Sequence, residues 1–229
     1  NVERAMYDAW QAYTALQDAG YNCYVNNLAT ESAKECGYHF MNMLAGDQKA
    51  VDFESIKNTI IDSGHNGTGT ELEDVLETIE KQQFVNPEKL LDHFWNVFVI
   101  DAFLGNFDRH NGNWGFLYNY AIQTASIAPV YDCGSCLLPQ ADEKVMRAVL
   151  ENESELHARI FRFPTSAIKY NDRKINYNDF LTAGENEDCN AALLRMVPQI
   201  DIPAIHGFID ETPYLTDLQR TFYKTYLSA

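Results

Sequence analysis

GNFDRHNGNWGFLYN, residues 105–119, places asparagine, aspartate, arginine and histidine side chains directly after a long apolar run. Within it Asp108 and Asn113 stand five residues apart, and a further aspartate, Asp132, follows two short apolar runs. One interpretation is a turn-rich connector whose asparagines bond their own backbone. A mere turn does not require Asp132 after it, so the spacing favours a site in which three oxygen-bearing side chains converge.

The two apolar runs after this loop are WGFLY at residues 114–118 and SIAPVY at residues 126–131. Short apolar runs separated by polar residues are typical of a small β-hairpin. We therefore expect a hairpin that ends at Asp132 and brings this carboxylate near the loop.

The apolar segment before the loop carries helix signals at both ends. Asn86 suits the N-cap, Pro87 suits the first helical position, and Gly105 suits the stop. Between them apolar side chains occupy nearly every side of the predicted helix, which is typical of a helix buried in a core. We expect residues 90–104 to form this central buried helix.

Further helices are predicted on both sides of this central one. Apolar residues at helical spacing predict helices over residues 2–18 and 33–44. Thr70 and Glu73 form a capping box, which predicts a helix that starts at Glu71.

The remainder of the chain, from residue 142 to the C-terminus, shows helical spacing interrupted at prolines and a glycine. The expected fold class is therefore mainly α with one small β-hairpin. At 229 residues the chain is long enough to bury a sizeable core.

The composition restricts the partners of the chain. A formal net charge of −16 makes a nucleic-acid backbone an unfavourable partner. No apolar stretch is long enough to span a bilayer, and the N-terminal residues lack the layout of a signal peptide. The five cysteines, an odd number, fit reduced thiols better than a disulfide framework. These features predict a soluble, cytoplasmic protein that binds neither nucleic acid nor membranes.

The three converging residues are of the types that phosphoryl transfer requires. A carboxylate orients and deprotonates the acceptor hydroxyl, while an asparagine and an aspartate hold Mg²⁺ on the nucleotide phosphates. Protein kinases place the first aspartate and the asparagine at the interval of Asp108 and Asn113, with a metal-binding aspartate before Phe-Gly downstream. Here Cys133 and Gly134 follow Asp132, so Asp-Cys-Gly stands where Asp-Phe-Gly would.

These two motifs resemble the C-terminal lobe of HipA-like serine/threonine kinases, and the resemblance covers residues 51–229. The matching residues of the loop and the later segment are Asn106, Asp108, His110 and Asn113, then Tyr131, Asp132, Gly134 and Ser135. The resemblance implies a protein-kinase-like α+β lobe with ATP and Mg²⁺ as cofactors. It implies that Asp108 is the catalytic base and that Asn113 and Asp132 hold the metal and the nucleotide, with His110 supporting the loop.

Residues 1–50 are expected to form a helical segment that corresponds to a degenerate or truncated N-terminal lobe. Before Lys34 the only basic residue is Arg4, and before Gly37 the only glycine is Gly20. The strand lysine and Gly-rich loop of a complete kinase therefore have no place in this segment. We expect this polypeptide alone to transfer phosphate poorly or not at all, and expect as partner a protein substrate, an antitoxin, or a chain that supplies the missing lobe.

Three other functional classes match parts of this sequence. A pseudokinase or interaction module would keep the lower-lobe residues without catalysis. Phosphoinositide-type lipid kinases carry an Asp-Arg-His-x-x-Asn loop, which residues 108–113 match. An anionic lipid headgroup would favour a basic patch, however, and the sequence shows none. A metal-dependent phosphodiesterase that uses Asp108, His110 and Asp132 is disfavoured, because such sites gather more histidines and aspartates.

A Cys-x-x-Cys pair, Cys133 and Cys136, follows the second motif. Such a pair can be a redox couple or half of a zinc site. No second pair completes a tetrahedral site, so we interpret both cysteines as ordinary small buried residues.

Overall fold

The computed structural model describes residues 48–60 and 69–229. The helices predicted over residues 2–18 and 33–44 lie outside these residues. The strands are β1 (Gln48–Asp52), β2 (Gly115–Asn119), β3 (Thr124–Ile127), β4 (Thr165–Tyr170) and β5 (Arg173–Asn176). The α-helices are α1 (Phe53–Ile60), α2 (Leu72–Lys81), α3 (Pro87–Leu104), α4 (Glu143–Glu151), α5 (Glu153–His157), α6 (Tyr177–Ala183), α7 (Glu187–Met196), α8 (Ile202–Glu211) and α9 (Asp217–Ser228). Short 3-10 or π-helical turns cover Asn111–Asn113, Ala158–Arg162 and Val197–Gln199.

The chain divides into two compact units. The described residues of the first unit are 48–60, 69–70, 74–87 and 109–134. Those of the second unit are 71–73, 88–108 and 135–229.

A three-stranded antiparallel sheet in the order β1-β2-β3 forms the centre of the first unit. Phe116 of β2 is paired with Val51 on one side and Ile127 on the other. A hairpin is therefore present as β2 and β3, but its second strand ends at Ile127, so the prediction that the hairpin runs to Asp132 is wrong. β1, which the sequence did not predict, adds a third strand. β1 runs across the predicted boundary between residues 50 and 51, where the C-terminal lobe is expected to start.

Gly115 is required where β2 lies against β1. A Cβ atom there would lie 2.2 Å from the carbonyl oxygen of Val51 and 2.8 Å from the Cα of Asp52. Both are backbone atoms, which cannot move aside as a flexible side chain can. We expect Gly115→Ala to lower the free energy of unfolding by about 2–3 kcal/mol, the upper range for overpacked sites.

Urea unfolding of Gly115→Ala and Gly207→Ala side by side measures this effect. Gly207 lies within α8, and an added Cβ would meet nothing within 4 Å. Alanine there should raise the free energy of unfolding by about 0.5–1 kcal/mol, because glycine disfavours a helix interior. Equal changes in the two variants would contradict the packing described at Gly115.

Helix α3 forms the core of the second unit, as predicted, and spans Pro87–Leu104. From residue 90 to residue 104 Asp92 is its single exposed residue. Trp95 stacks on Phe180 of α6 with ring centroids 6.0 Å apart. The helix ends at Gly105, whose φ of +65° is the left-handed conformation common just after a helix.

The predicted all-helical pattern from residue 142 onward is wrong for residues 165–176. This stretch forms a two-stranded antiparallel hairpin, β4 and β5, in which Ile168 and Ile175 are buried. Asn171 and Asp172 connect the strands with φ of 52° and 62°. A two-residue turn with both φ positive matches the right-handed twist of paired strands, which explains the hairpin.

Two further predicted helix boundaries agree with the structure. α2 begins at Leu72, one residue after the predicted start, and α6 ends before Gly184, a predicted break with φ of +66°. Within residues 48–60 and 69–229, no helix combines the length and apolarity needed to cross a membrane.

Candidate active site

The polar loop of the first unit is folded into a tight turn around its histidine. His110 is the N-cap of the 3-10 turn, and its Nδ1 accepts a hydrogen bond from the Gly112 N–H at 3.0 Å. The Asn113 N–H donates to the His110 carbonyl at 2.9 Å. His110 thus fixes the backbone that presents Asn113.

The backbone carbonyl of Gly69 links this turn to helix α1. Asn111 Nδ2 donates to the Gly69 carbonyl at 2.8 Å, and Lys57 Nζ donates to the same oxygen. Lys57 is fully buried, and its ammonium lies 3.4 Å from Asp74 Oδ2. No sequence motif marks Lys57, although its spacing from Phe53 places it on the buried face of α1.

Arg109 joins the loop to the segment that follows β3. Its side chain is buried, and Nη1 donates to the Asn113 carbonyl at 3.0 Å and also to the Tyr131 carbonyl. Nη2 lies 3.6 Å from Cys133 Sγ. The sequence alone indicates no role for this arginine.

Asn113 and Asp132, the predicted metal ligands, both lie in the first unit. Asn113 is buried at the end of the 3-10 turn, and Asp132 is half-buried. The Asp132 backbone has φ of +56°, a left-handed conformation that aspartate adopts more readily than most non-glycine residues. Non-glycine residues in this conformation cluster at functional sites. Through Arg109 the main chain of Asn113 is held next to the residues on both sides of Asp132.

Asp108, the predicted catalytic base, lies in the second unit and is exposed. Its backbone N–H donates to Asn106 Oδ1 at 3.2 Å. Asn106 is fully buried and donates from Nδ2 to Asp101 Oδ1 at 2.8 Å, while the Tyr177 hydroxyl donates to its carbonyl at 2.7 Å. Asn106 therefore connects the backbone before Asp108 to α3 and α6.

The donor chemistry of Asn113 and Asp132 fits a magnesium ion carried by a nucleotide. Mg²⁺ in nucleotide sites is held by one or two protein side chains with oxygen donors, and phosphates and water complete its coordination. The part of the chain that the structure describes contains no group of three or more histidine, cysteine, aspartate or glutamate residues that could hold a metal ion. The fit therefore rests on this amide and carboxylate pair.

The cysteines of the Cys-x-x-Cys pair are half-buried rather than fully buried. Cys133, Cys136 and the buried Cys189 carry reduced thiols. Burial raises the pKa of the Cys189 thiol to about 12, so this thiol is protonated at neutral pH.

Comparison with known proteins gives the chain a clear relative. No model of a known protein family matches it. It is 52% identical over 178 residues to the serine/threonine-protein kinase CtkA of Helicobacter pylori strain J99, which covers 77% of this chain. The chain spans 55% of the length of that relative.

A solved structure agrees with this relationship. The crystal structure of a Helicobacter pylori proinflammatory kinase, CtkA, superposes with a TM-score of 0.79 and 49% sequence identity. The superposition covers 82% of this chain and 68% of the solved one. The chain therefore belongs to the same family as the serine/threonine kinase CtkA.

Proposed function

We propose that the chain transfers the γ-phosphoryl group of ATP to serine or threonine hydroxyls of a protein substrate. The family relationship to a serine/threonine kinase supports the reaction class. The observation that carries the proposal is the buried Arg109, which joins the backbone of Asn113 to the segment of Asp132. A loop of unrelated function would not need its two metal-ligand candidates connected in this way.

The three motif residues have different proposed roles in this reaction. The exposed carboxylate of Asp108 is suited to orient an acceptor hydroxyl and to accept its proton. Asn113 and Asp132 would hold Mg²⁺ together with the nucleotide phosphates. When bound, the metal offsets the negative charge of the phosphates in a chain whose own net charge is −16.

We propose a HipA-like arrangement of these roles, because both motifs of that kinase type occur in the same order. This finer assignment rests on the motif residues alone. The proposed partner is a protein substrate. A second chain that supplies a phosphate-binding lobe is a further proposed partner. Its addition to a transfer assay should raise the rate of phosphate transfer.

Incubation of the chain with γ-labelled ATP, Mg²⁺ and peptides that contain serine, threonine or tyrosine tests this proposal. We expect slow incorporation of label into phosphoserine or phosphothreonine and none into phosphotyrosine. Mg²⁺-dependent ATP binding without any transfer would instead identify a pseudokinase. Label in a phosphoinositide, supplied in vesicles, would identify a lipid kinase.

A further inference from the structure

We infer that Arg109 is a positioning residue that sets the spacing of the two metal ligands, Asn113 and Asp132. It does so by holding their backbones, so that both side chains can reach one ion on the nucleotide. This inference rests on the proposed function and assigns to Arg109 a role that the kinase motif itself does not contain.

Arg109 contacts the backbone at one proposed metal ligand and directly before the other. A single nitrogen, Nη1, donates to the carbonyl of Asn113 and to that of Tyr131, which is 22 residues from Arg109 along the chain. One NH₂ group that bonds two carbonyls restricts the distance between them. The first carbonyl belongs to one proposed ligand, and the second immediately precedes the other.

The second terminal nitrogen of the guanidinium contacts the residue that follows Asp132 and thereby restrains the Asp132 backbone. Nη2 lies 3.6 Å from the sulfur of Cys133, so Arg109 contacts the residues before and after Asp132. Asp132 is in a left-handed conformation, and such a conformation persists only where the surroundings determine it. The contacts of Arg109 with Tyr131 and Cys133 help to hold Asp132 in this conformation.

Burial makes the restraint strong and specific to arginine. Arg109 is 5% exposed, and hydrogen bonds from a buried charged donor are shorter and stronger than neutral ones. A lysine keeps the charge, but its single, freely rotating ammonium lacks the second NH₂ group that reaches Cys133 and the fixed planar geometry that orients both carbonyl bonds. Arg109→Lys should therefore preserve the buried charge and loosen the spacing of Asn113 and Asp132.

Titration of ATP into the chain, once with Mg²⁺ and once with EDTA, tests this inference. We expect Arg109→Lys to weaken binding about 10-fold with Mg²⁺, the size typical of residues that orient metal ligands, and to leave binding in EDTA unchanged. Arg109→Ala should weaken binding with Mg²⁺ further, and added guanidinium ion should restore part of the loss. Urea unfolding confirms that each variant is folded before titration.

Arg195→Lys is the control, because Arg195 also makes its polar contacts within its own unit, there to a side chain, with Nη2 2.8 Å from Asp92 Oδ1. It should leave both titrations unchanged. Arg109→Lys binding equal to wild type, or weakened equally with Mg²⁺ and EDTA, would overturn the positioning role. Wild-type binding that is insensitive to Mg²⁺, or to Asp132→Ala, would instead overturn the proposed function and this inference with it.

Discussion

Asp132→Ala should weaken the binding of ATP in the presence of Mg²⁺ by about 100-fold or more. Residues that merely orient metal ligands contribute about 10–100-fold to metal affinity, so loss of a direct ligand should reach at least the upper end of that range. The carboxylate is also the single formal negative charge of the proposed ligand pair. Asn113 would then be the remaining protein donor of the pair, and its neutral amide attracts the Mg²⁺ ion much more weakly than a carboxylate does.

Two further variants separate the loss of the ligand from the loss of the backbone conformation. Asp132→Asn keeps a residue type that tolerates φ of +56°, while alanine is strained there. Asp132→Asn should lose less affinity than Asp132→Ala but more than Asp188→Ala, which removes one exposed carboxylate from the second unit. Calorimetric titration of the three variants decides the order, and equal affinities would remove Asp132 from the site.

Asp108→Asn should lower the rate of phosphate transfer by about 100- to 10,000-fold, the range that a general base contributes. The affinity for ATP with Mg²⁺ should remain within about threefold of wild type, because the base acts on the acceptor hydroxyl in the transition state. This split between rate and affinity distinguishes Asp108 from Asp132.

The comparison for this prediction is Glu185→Gln, which replaces another exposed carboxylate of the second unit by its amide. Its transfer rate, measured with labelled ATP and a serine peptide, should equal that of wild type. If Asp108→Asn reduces ATP binding as much as it reduces transfer, Asp108 is a ligand or a structural residue and not the base.

Local signals predicted the helices well where they were strong at both ends. For α3 the proline at the start, the glycine at the end and the apolar residues between them fixed the bounds Pro87–Leu104. Gly105 adopts a positive φ, which glycine tolerates better than other residues. These are properties of neighbouring residues, so no tertiary contact was needed to predict them.

The hairpin of β4 and β5 was missed because its strands are short, with six and four residues, and lie between segments with helical spacing. Its clearest signal is the Asn171-Asp172 pair between Tyr170 and Arg173, since asparagine and aspartate favour the positive φ of a tight hairpin turn. β1 was missed for a different reason. Its partner, β2, lies more than 60 residues further along the chain, and local patterns do not report such pairing.

The candidate site shows the same division between local and distant information. The spacing of Asp108, Asn113 and Asp132 identified the kinase class, which the relationship to CtkA supports. The sequence indicated no role for Arg109, and it marked Asn106 as a motif residue without its contacts, because their partners lie 22 and 71 residues away along the chain. The HipA-like assignment and the roles of the three motif residues stay predictions.

The most direct test of the account is a titration of the wild-type chain with ATP in the presence of Mg²⁺ and again with EDTA. If Asn113 and Asp132 hold a metal on the nucleotide, saturable binding should appear with Mg²⁺ and weaken at least about 10-fold with EDTA. Binding of equal strength in both conditions, or no binding in either, would contradict the claim that these two residues form the metal site of a kinase.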